Sequence, residues 1–275
     1  MDFDGELYSN NSDFQKQCVR DILTLPGFFR QNCYRNVLDI GCGSGEVTNF
    51  LQNKINGVDR IFAFDKSASM VEFARSKNSN PKIEYSVADV TKPETFKPEW
   101  QQKFDLITSF HVLHWTKNQY KNLENVKSLL SPNGEVLFYV PYTSSIIYMS
   151  DIMNSVKWSP YFQGYTPSWS FNPDWEEYRE WRYPDEITGY RRMAESLGFT
   201  VNQCTEDVQN YIFPDRQSAK GFFGAVLLHL MRIPDSKSSE FLDDALDLYL
   251  KSLPLNENGK IRFYSKHVLV NLQNK

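Results

Sequence analysis

The sequence predicts an α/β protein built on an open, doubly wound sheet of mainly parallel strands. From residue 36 to residue 140, short apolar runs alternate with segments of helical periodicity. Alternation at this spacing is typical of parallel strands joined by crossover helices. The first apolar run leads directly into a glycine-rich turn, Gly41-Cys-Gly-Ser-Gly45, that opens a helix. Such a turn lets a ligand approach the backbone at a helix N-terminus.

The first half of the chain supplies five of the predicted strands. Phe14, Cys18, Ile22 and Leu25 recur at helical spacing and predict an N-terminal helix that Pro26-Gly27 ends. The strands are predicted at residues 36–40, 60–64, 83–88, 104–110 and 135–140. The crossover helices are predicted at residues 46–53, 68–76 and 120–130, with a turn at 131–134.

The second half begins with an irregular aromatic segment. Four of the six tryptophans lie between positions 158 and 183, where prolines interrupt every regular period. We interpret this stretch as an aromatic cap inserted between elements of the sheet. After it come a helix at 185–197, a strand at 200–204 or shortly after, helices at 215–231 and 237–251, a turn at 256–259 and a closing strand at 261–269.

Composition and charge exclude several classes of protein. The hydrophobic fraction is 41%, the charged fraction 23% and the formal charge −4, which are typical of a soluble globular protein and argue against nucleic-acid binding. The four cysteines form no CxxC, so we expect neither a disulfide framework nor structural zinc, and we expect a cytoplasmic protein. The acidic N-terminus is not a secretory signal, and no apolar run approaches the roughly 20 residues of a membrane span.

The glycine-rich turn distinguishes between three kinds of ligand. A P-loop for ATP requires Gly-Lys-Ser/Thr after the loop, and no lysine follows here. A dinucleotide fingerprint requires a glycine where Glu46 stands, and its charged side chain would crowd a pyrophosphate. Asp39, before the loop, repels phosphate but suits a cation. S-adenosylmethionine carries an ammonium and a sulfonium group, so we predict it as the cofactor, against the alternative of a tight turn without a ligand.

Two further acids stand at predicted strand ends. Asp65 follows the second strand, twenty residues after Gly45, where a carboxylate can accept hydrogen bonds from ribose hydroxyls. Asp89 ends the third strand, where it can accept from an adenine amino group while Val90 packs on the ring. Singly, each is more often a turn former or a helix cap. Together with the loop they indicate a ligand site at the carboxyl ends of the strands.

At residues 36–140 the sequence resembles the class I S-adenosylmethionine-dependent methyltransferases, which have a Rossmann-like fold. The resemblance implies a seven-stranded sheet whose last strand, residues 261–269 here, is antiparallel. It also implies which residues bind the cofactor. These are Asp39, Gly41 and Gly43 at the methionine end, Asp65 with its neighbour Lys66 at the ribose, Asp89 and Val90 at the adenine, and Ser109, Phe110 and His111 under the sulfonium.

The acceptor of the methyl group decides which side chains the site needs. A base amino group calls for an Asn/Asp-Pro-Pro-aromatic run after the fourth strand, and no proline stands there. A phenol or alcohol needs a general base, for which His111 and His114 are candidates. We predict no metal, since residues 107–120 contain no carboxylate. A carboxylic acid is already ionised at neutral pH and needs only uncharged donors that orient it.

Gln15 and Trp115 are suitable uncharged donors, with side-chain N–H groups and no charge. Their alternatives are a solvated helix residue for Gln15 and a core residue for Trp115. The strings Asn10-Asn-Ser-Asp-Phe-Gln15-Lys-Gln and Leu113-His-Trp115 resemble the insect juvenile hormone acid methyltransferases. This resemblance implies that Gln15 and Trp115 hold the carboxylate of a farnesoic or juvenile hormone acid.

The aromatic insertion predicts a wall suited to an apolar, lipid-like acid, although its rings can also simply pack the cap onto the sheet. Phe222, Phe223 and nearby aliphatic residues are candidates for the opposite wall or for the core. Two alternatives to the apolar acid stay open: a small polycarboxylic acid such as trans-aconitate, and a non-catalytic lipid-binding module. The polycarboxylic acid would be bound by the nearby arginines Arg179, Arg182, Arg191 and Arg192.

We expect a single domain over residues 1–275, as a monomer or homodimer. Its predicted parts are an N-terminal helical lid (1–30), a cofactor-binding half (31–140), the aromatic cap insertion with its helix (141–198) and the C-terminal half of the sheet with its helices (199–275).

Overall fold

The protein is built around a seven-stranded mixed sheet of order β3-β2-β1-β4-β5-β7-β6. The computed structural model describes residues 4–25, 29–30, 33–116, 118–145, 151–152, 154–162, 186–228, 233–253, 255 and 258–275. Strands β1 to β5 run parallel, and β7 lies antiparallel between β5 and β6. The strands are β1 Asn36–Ile40, β2 Arg60–Asp65, β3 Ile83–Val87, β4 Phe104–Phe110, β5 Leu130–Ser144, β6 Phe199–Phe213 and β7 Ile261–Asn274.

Helices cover both faces of the sheet, so the central strands β1, β4 and β5 are buried on both sides. On one face Val37 and Leu137 pack with α2, α3, α8 and α9, and on the other face Leu38 and Phe138 pack with α5 and α7. This two-sided burial explains the continuous apolar runs in the sequence. The helices are α1 Gly5–Asn11, α2 Asp13–Leu23, α3 Glu46–Lys54, α4 Ala68–Lys77, α5 Gln119–Leu129, α6 Ser159–Phe162, α7 Glu186–Ser196, α8 Arg216–Leu227 and α9 Asp235–Ser252.

The predicted fold class is confirmed, including the antiparallel strand near the C-terminus. Two predicted elements are wrong in extent. Strand β6 runs from Phe199 to Phe213 and pairs along its length with β7, far beyond the predicted end at residue 204. It is an edge strand whose outward face is polar, and this hides its length from a search for apolar runs. The predicted turn at 131–134 is a bulge inside β5, since Phe104 pairs with Leu130 but Leu106 pairs with Glu135.

The N-terminal segment forms two helices rather than one. Asp4 caps α1 by accepting hydrogen bonds from the backbone N–H groups of Glu6 and Leu7, and Ser12 separates α1 from α2. Phe14 on α2 inserts among buried aromatic rings of β6, α8 and β7, including Phe263 with ring centroids 4.9 Å apart.

In the described part of the chain, no helix is both long and apolar enough to cross a membrane.

Part of the predicted aromatic cap packs in the core. Trp158 is buried, its ring meets Phe241 of α9 edge-on at 5.2 Å, and its indole N–H donates to Asp244 at 2.8 Å. The ring centroid of Phe162 lies 6.1 Å from that of Phe241. Residues 163–185, which hold the rest of the predicted cap, lie outside the described residues. Phe222 and Phe223, predicted as an opposite wall or as core, are buried in the core.

Candidate functional site

The loop between β1 and α3 requires glycine at two positions for steric reasons. Gly41 has φ +73°, and a Cβ added there would lie 2.3 Å from a side-chain methyl of Val112. Gly45 has φ +85°, and a Cβ there would lie 2.7 Å from the hydroxyl of Tyr85. Both positions combine a left-handed backbone with close approach of a neighbouring element, which only glycine accommodates. The loop therefore lies flat against the end of the sheet, and α3 begins at Glu46.

A cavity of about 500 Å³ opens at the carboxyl ends of the parallel strands, above this loop. Its size is within the range of small-molecule sites. It brings together eleven of the twelve residues predicted for the site. These are Gln15, Asp39, Gly41, Gly43, Asp65, Lys66, Asp89, Val90, Phe110, His111 and Trp115.

Ser109 is the predicted site residue that the structure does not bring to the cavity. It is buried, and its hydroxyl donates to the carbonyl oxygen of Ile40 at 3.1 Å, linking β4 to β1. In the alternation of a strand, Ser109 faces away from the side on which Phe110 meets the cavity. Its contact with Ile40 instead holds the two strand ends that carry the loops of the site.

Asp39 is a buried carboxylate beneath the loop. It accepts hydrogen bonds from the hydroxyls of Thr48 at 2.6 Å and Thr108 at 2.9 Å. These partners carry no charge, so desolvation dominates and raises the pKa of Asp39 to about 6. A cation in the cavity would oppose this shift by stabilising the ionised form.

Asp65 and Asp89 stand at neighbouring strand ends. Asp65 accepts from the backbone N–H of Gly43 at 3.1 Å and of Ser67 at 2.9 Å, and burial raises the pKa of its carboxyl. Each oxygen that accepts one such bond keeps a second lone pair for a ligand hydroxyl. The side chain of Asp89 accepts hydrogen bonds from the backbone N–H and the hydroxyl of Thr91, and so stabilises the turn that follows β3. Strand order thus places the two acids along one side of the cavity.

Gln15 and Trp115 line the same cavity but come from different parts of the chain. Gln15 comes from α2, and Trp115 ends a short 3-10 turn, Leu113–Trp115, after β4. The Gln15 oxygen Oε1 is buried without a hydrogen-bond partner among the described residues. Gln15 lines the cavity, and its amide carries two N–H donors and no charge. The arrangement therefore presents a neutral donor.

The two histidines proposed as general bases are differently placed. His111 lines the cavity with a left-handed backbone, φ +58°. Its Nε2 lies 3.3 Å from Nε2 of His267, and its Nδ1 is buried without a partner among the described residues. Desolvation lowers the pKa of His111 to about 4, so the ring is neutral at neutral pH. His114 is not among the described residues that line the cavity, and burial lowers its pKa well below the usual value.

Several lining residues were not predicted from the sequence. Tyr8, Ser12 and Lys16 come from the N-terminal helices, and Asn118 and Asn122 from the start of α5. Burial, with Asp65 and Glu46 nearby, raises the pKa of the Tyr8 phenol to about 12. No regular period marks these residues in the sequence, because Ser12 interrupts the helix between Tyr8 on α1 and Gln15 on α2.

The residues present fit S-adenosylmethionine. The buried Asp39 accepts hydrogen bonds from the hydroxyls of Thr48 and Thr108, which add no charge, and so suits a cationic ligand. A Cβ added at Gly43 would approach only Tyr8 and Met70, at 3.9 Å, so space remains above the loop. Within the described residues, no group of three or more His, Cys, Asp or Glu side chains is arranged to hold a metal ion.

The sheet order, the antiparallel β7 and the glycine loop at the end of β1 define a class I methyltransferase fold. The chain belongs to the methyltransferase domain family, whose sequence pattern matches residues 11–203. Its methyl donor is S-adenosylmethionine. The protein is therefore a methyltransferase.

Named relatives and solved structures agree with this assignment. Juvenile hormone acid O-methyltransferase of Bombyx mori is 24% identical over 216 residues, covering 77% of this chain and 73% of the relative. The Drosophila melanogaster protein of the same name is 25% identical over 245 residues, covering 85% and 78%. The YcgJ protein from Bacillus subtilis has a TM-score of 0.55 at 15% identity, covering 96% and 99%. A structure from Bacillus halodurans has a TM-score of 0.56 at 16% identity, covering 95% and 98%. These two structures bear on the fold alone.

Proposed function

We propose that the protein is a carboxyl O-methyltransferase that forms the methyl ester of an apolar isoprenoid acid such as farnesoic or juvenile hormone acid. The observation that carries the proposal is that Gln15 and Trp115 line the same cavity as Asp39, Gly41 and Gly43. Two neutral donors beside a glycine loop suit an anionic acceptor, because they orient a carboxylate without neutralising its charge.

The reaction is an in-line displacement at a methyl carbon. S-adenosylmethionine supplies a methyl group on a positively charged sulfur. With both bound, a carboxylate oxygen of the acid would donate an electron pair to that carbon while the carbon–sulfur bond broke and its electron pair stayed on sulfur. No proton moves. The protein's task is to align the two reactants and exclude water, and alignment can contribute about 7–11 kcal/mol.

The histidines support an acceptor that needs no general base. His111 directs Nε2 at His267 and buries Nδ1, and His114 lies outside the described lining of the cavity. A phenol or alcohol would require a base within hydrogen-bonding reach of its proton. An acid that is ionised at neutral pH avoids this requirement.

The charges of the cavity favour an apolar acid over a polycarboxylic acid. No arginine is among the described residues that line the cavity. Arg191 donates instead to the carbonyl oxygen of Cys204 at 3.3 Å, while Arg179 and Arg182 lie outside the described residues. Of the three lysines among the described lining residues, Lys16 pairs with Glu46 and Lys121 with Glu124, and the charge of Lys66 acts on the adjacent Asp65 carboxylate. The two relatives named for juvenile hormone acid add weight to the apolar choice.

The test is methyl transfer from methyl-labelled S-adenosylmethionine to a panel of farnesoic acid, juvenile hormone acid, palmitic acid and trans-aconitate, read as extracted methyl ester. We expect isoprenoid esters to dominate. Gln15→Ala should lower kcat/KM about 10- to 100-fold, since a hydrogen bond to a charged group contributes roughly 1.5–3 kcal/mol. Gln17→Ala, which removes an exposed amide from the same helix, should leave kcat/KM unchanged.

Three outcomes would contradict the proposal. Esterification of trans-aconitate alone would indicate the small-acid enzyme. Binding of S-adenosylmethionine without an ester from any acid would indicate a non-catalytic module. An equal effect of Gln15→Ala and Gln17→Ala would remove Gln15 from the acceptor site.

A further inference from the structure

An ion pair connects the N-terminal helices to the glycine loop. Lys16 Nζ lies 3.1 Å from Glu46 Oε2 and donates to the carbonyl oxygen of Ser9 at 2.7 Å. The Lys16 side chain is only 13% exposed, and its Nζ makes both of these contacts. The same Glu46 carboxylate accepts from the hydroxyls of Ser9 at 3.0 Å and Ser44 at 3.2 Å. One carboxylate thus binds α1, α2 and the loop together.

The Lys16–Glu46 ion pair connects the glycine loop with the helix that carries Gln15. Glu46 is the first residue of α3 and follows directly on Gly45, the last residue of the loop. Lys16 follows Gln15 on α2, and all of these residues except Gly45 line the cavity. Tyr8 of α1 approaches Gly43, because a Cβ added to Gly43 would lie 3.9 Å from the Tyr8 ring. A ligand resting on the loop therefore also meets the N-terminal helices.

We propose that Lys16 is a positioning residue whose ion pair with Glu46 couples occupancy of the cofactor loop to placement of Gln15 for the acceptor. The part of this inference that concerns the acid rests on the proposed function.

The coupling follows from linkage. A ligand that contacts both the loop and α1 gains contacts only when the N-terminal helices are docked, so its binding stabilises the docked state. Docking holds Gln15 at the cavity, which favours the acid, and the acid favours the cofactor by the same factor. Loss of Lys16 removes its contacts with Glu46 of α3 and with the carbonyl oxygen of Ser9 of α1, so it weakens docking more than loss of an exposed charge on the same helix.

The first test measures docking without any acid. Amide hydrogen exchange of residues 5–23 is followed in the full-length protein with and without S-adenosylhomocysteine. We expect the ligand to slow exchange in the wild type and in Lys16→Arg, which keeps the charge, and to slow it far less in Lys16→Met. Arg20→Met removes an exposed charge from the same helix and should behave like the wild type. Equal slowing in Lys16→Met and the wild type would overturn the inference.

The second test measures the coupling through farnesoic acid. We expect its Kd to fall at least about fivefold when S-adenosylhomocysteine is present, and this ratio to approach one in Lys16→Met. If the acid binds but the wild-type ratio is already one, the inference fails while the proposed function survives. If no acid binds under either condition, the proposed function fails, and the exchange experiment still decides the role of Lys16.

Discussion

Asp39 shows how a single residue prepares the site for a cation. Its carboxylate is buried, and the hydroxyls of Thr48 and Thr108 donate to it without adding charge. Burial therefore raises the pKa to about 6. An acid before the loop was predicted from the sequence as a match for a cationic ligand. The hydroxyl partners come from α3 and β4, and their contact with Asp39 depends on how those elements pack.

Gly41 allows a prediction with an internal control. Gly41 and Gly259 have nearly the same φ, +73° and +70°, but a Cβ at Gly259 would meet no atom within 4 Å. Gly259→Ala should lower the free energy of unfolding by about 1 kcal/mol, the cost of a left-handed alanine. Gly41→Ala carries the same backbone cost and also a collision with Val112, so it should lower stability further and abolish cofactor binding. Denaturant unfolding and calorimetry with S-adenosylhomocysteine measure both effects.

Similar losses in the two alanine variants would mean that the approach of Val112 does not constrain the loop.

At the scale of elements, the ring of Trp158 anchors residues 154–162 against α9. Trp158 lies against Phe241 of α9, and its indole N–H donates to Asp244. Lys157 pairs with the same Asp244 at 2.6 Å and lies over the Trp158 ring, 4.9 Å from the centroid. Trp158 is one of the aromatic residues predicted to form the cap, and these contacts make it a structural anchor to α9.

Trp158→Ala should lower the free energy of unfolding by about 3–5 kcal/mol, because it empties a buried site of this size. Trp158→Phe keeps most of the apolar contact but loses the hydrogen bond to Asp244, and should cost about 1 kcal/mol. Val156→Ala, at a side chain that is 95% exposed, should change stability by less than about 0.5 kcal/mol. Denaturant unfolding at one pH compares the three. A small effect of Trp158→Ala would show that this segment contributes little to the core.

At the scale of the whole molecule, three histidines from distant positions, each with a buried Nδ1, come together. His111 and His114 follow β4, and His267 lies in β7, where its ring stacks on Tyr139 at 4.1 Å. Burial is the main cause that lowers their pKa values, to about 4 for His111 and about 2 for His267. The folded protein therefore keeps these rings neutral, whereas the unfolded chain protonates them near 6.5.

This arrangement predicts a loss of stability in acid. A histidine whose folded pKa is depressed contributes stability that is present above pH 6.5 and is lost as the pH falls towards the folded value. Asp39, whose pKa is raised, acts in the opposite direction, losing its contribution as the pH rises through about 6. His267→Gln removes one histidine and leaves Asp39 in place. Between pH 7 and pH 5.5 the wild type should therefore lose roughly 1.4 kcal/mol more than His267→Gln.

Urea unfolding at both pH values gives the difference between the two proteins directly. Parallel stability curves for the wild type and His267→Gln would contradict the neutral, buried state of His267.

The order of elements from β1 to β5 was predictable, because these strands are short apolar runs and local glycine or turn signals separate them from the helices. The same local signals predicted the loop and the acids at Asp39, Asp65 and Asp89. Ser109 was misplaced because the direction in which a strand residue faces depends on the register with its neighbour. Tyr8 and Lys16 were missed because a polar helix gives no sign of the surface on which it will dock.

By itself, the sequence determined the α/β class, the glycine loop and the chemical type of the ligand, since these depend on short-range patterns and on the charge of single residues. Only the tertiary structure decided that Gln15 from α2 and Trp115 after β4 share one cavity, that Lys16 binds Glu46, and that His111 faces His267. Contacts between residues far apart in the chain arise from packing on both faces of the sheet. No local pattern encodes which side chains that packing brings together.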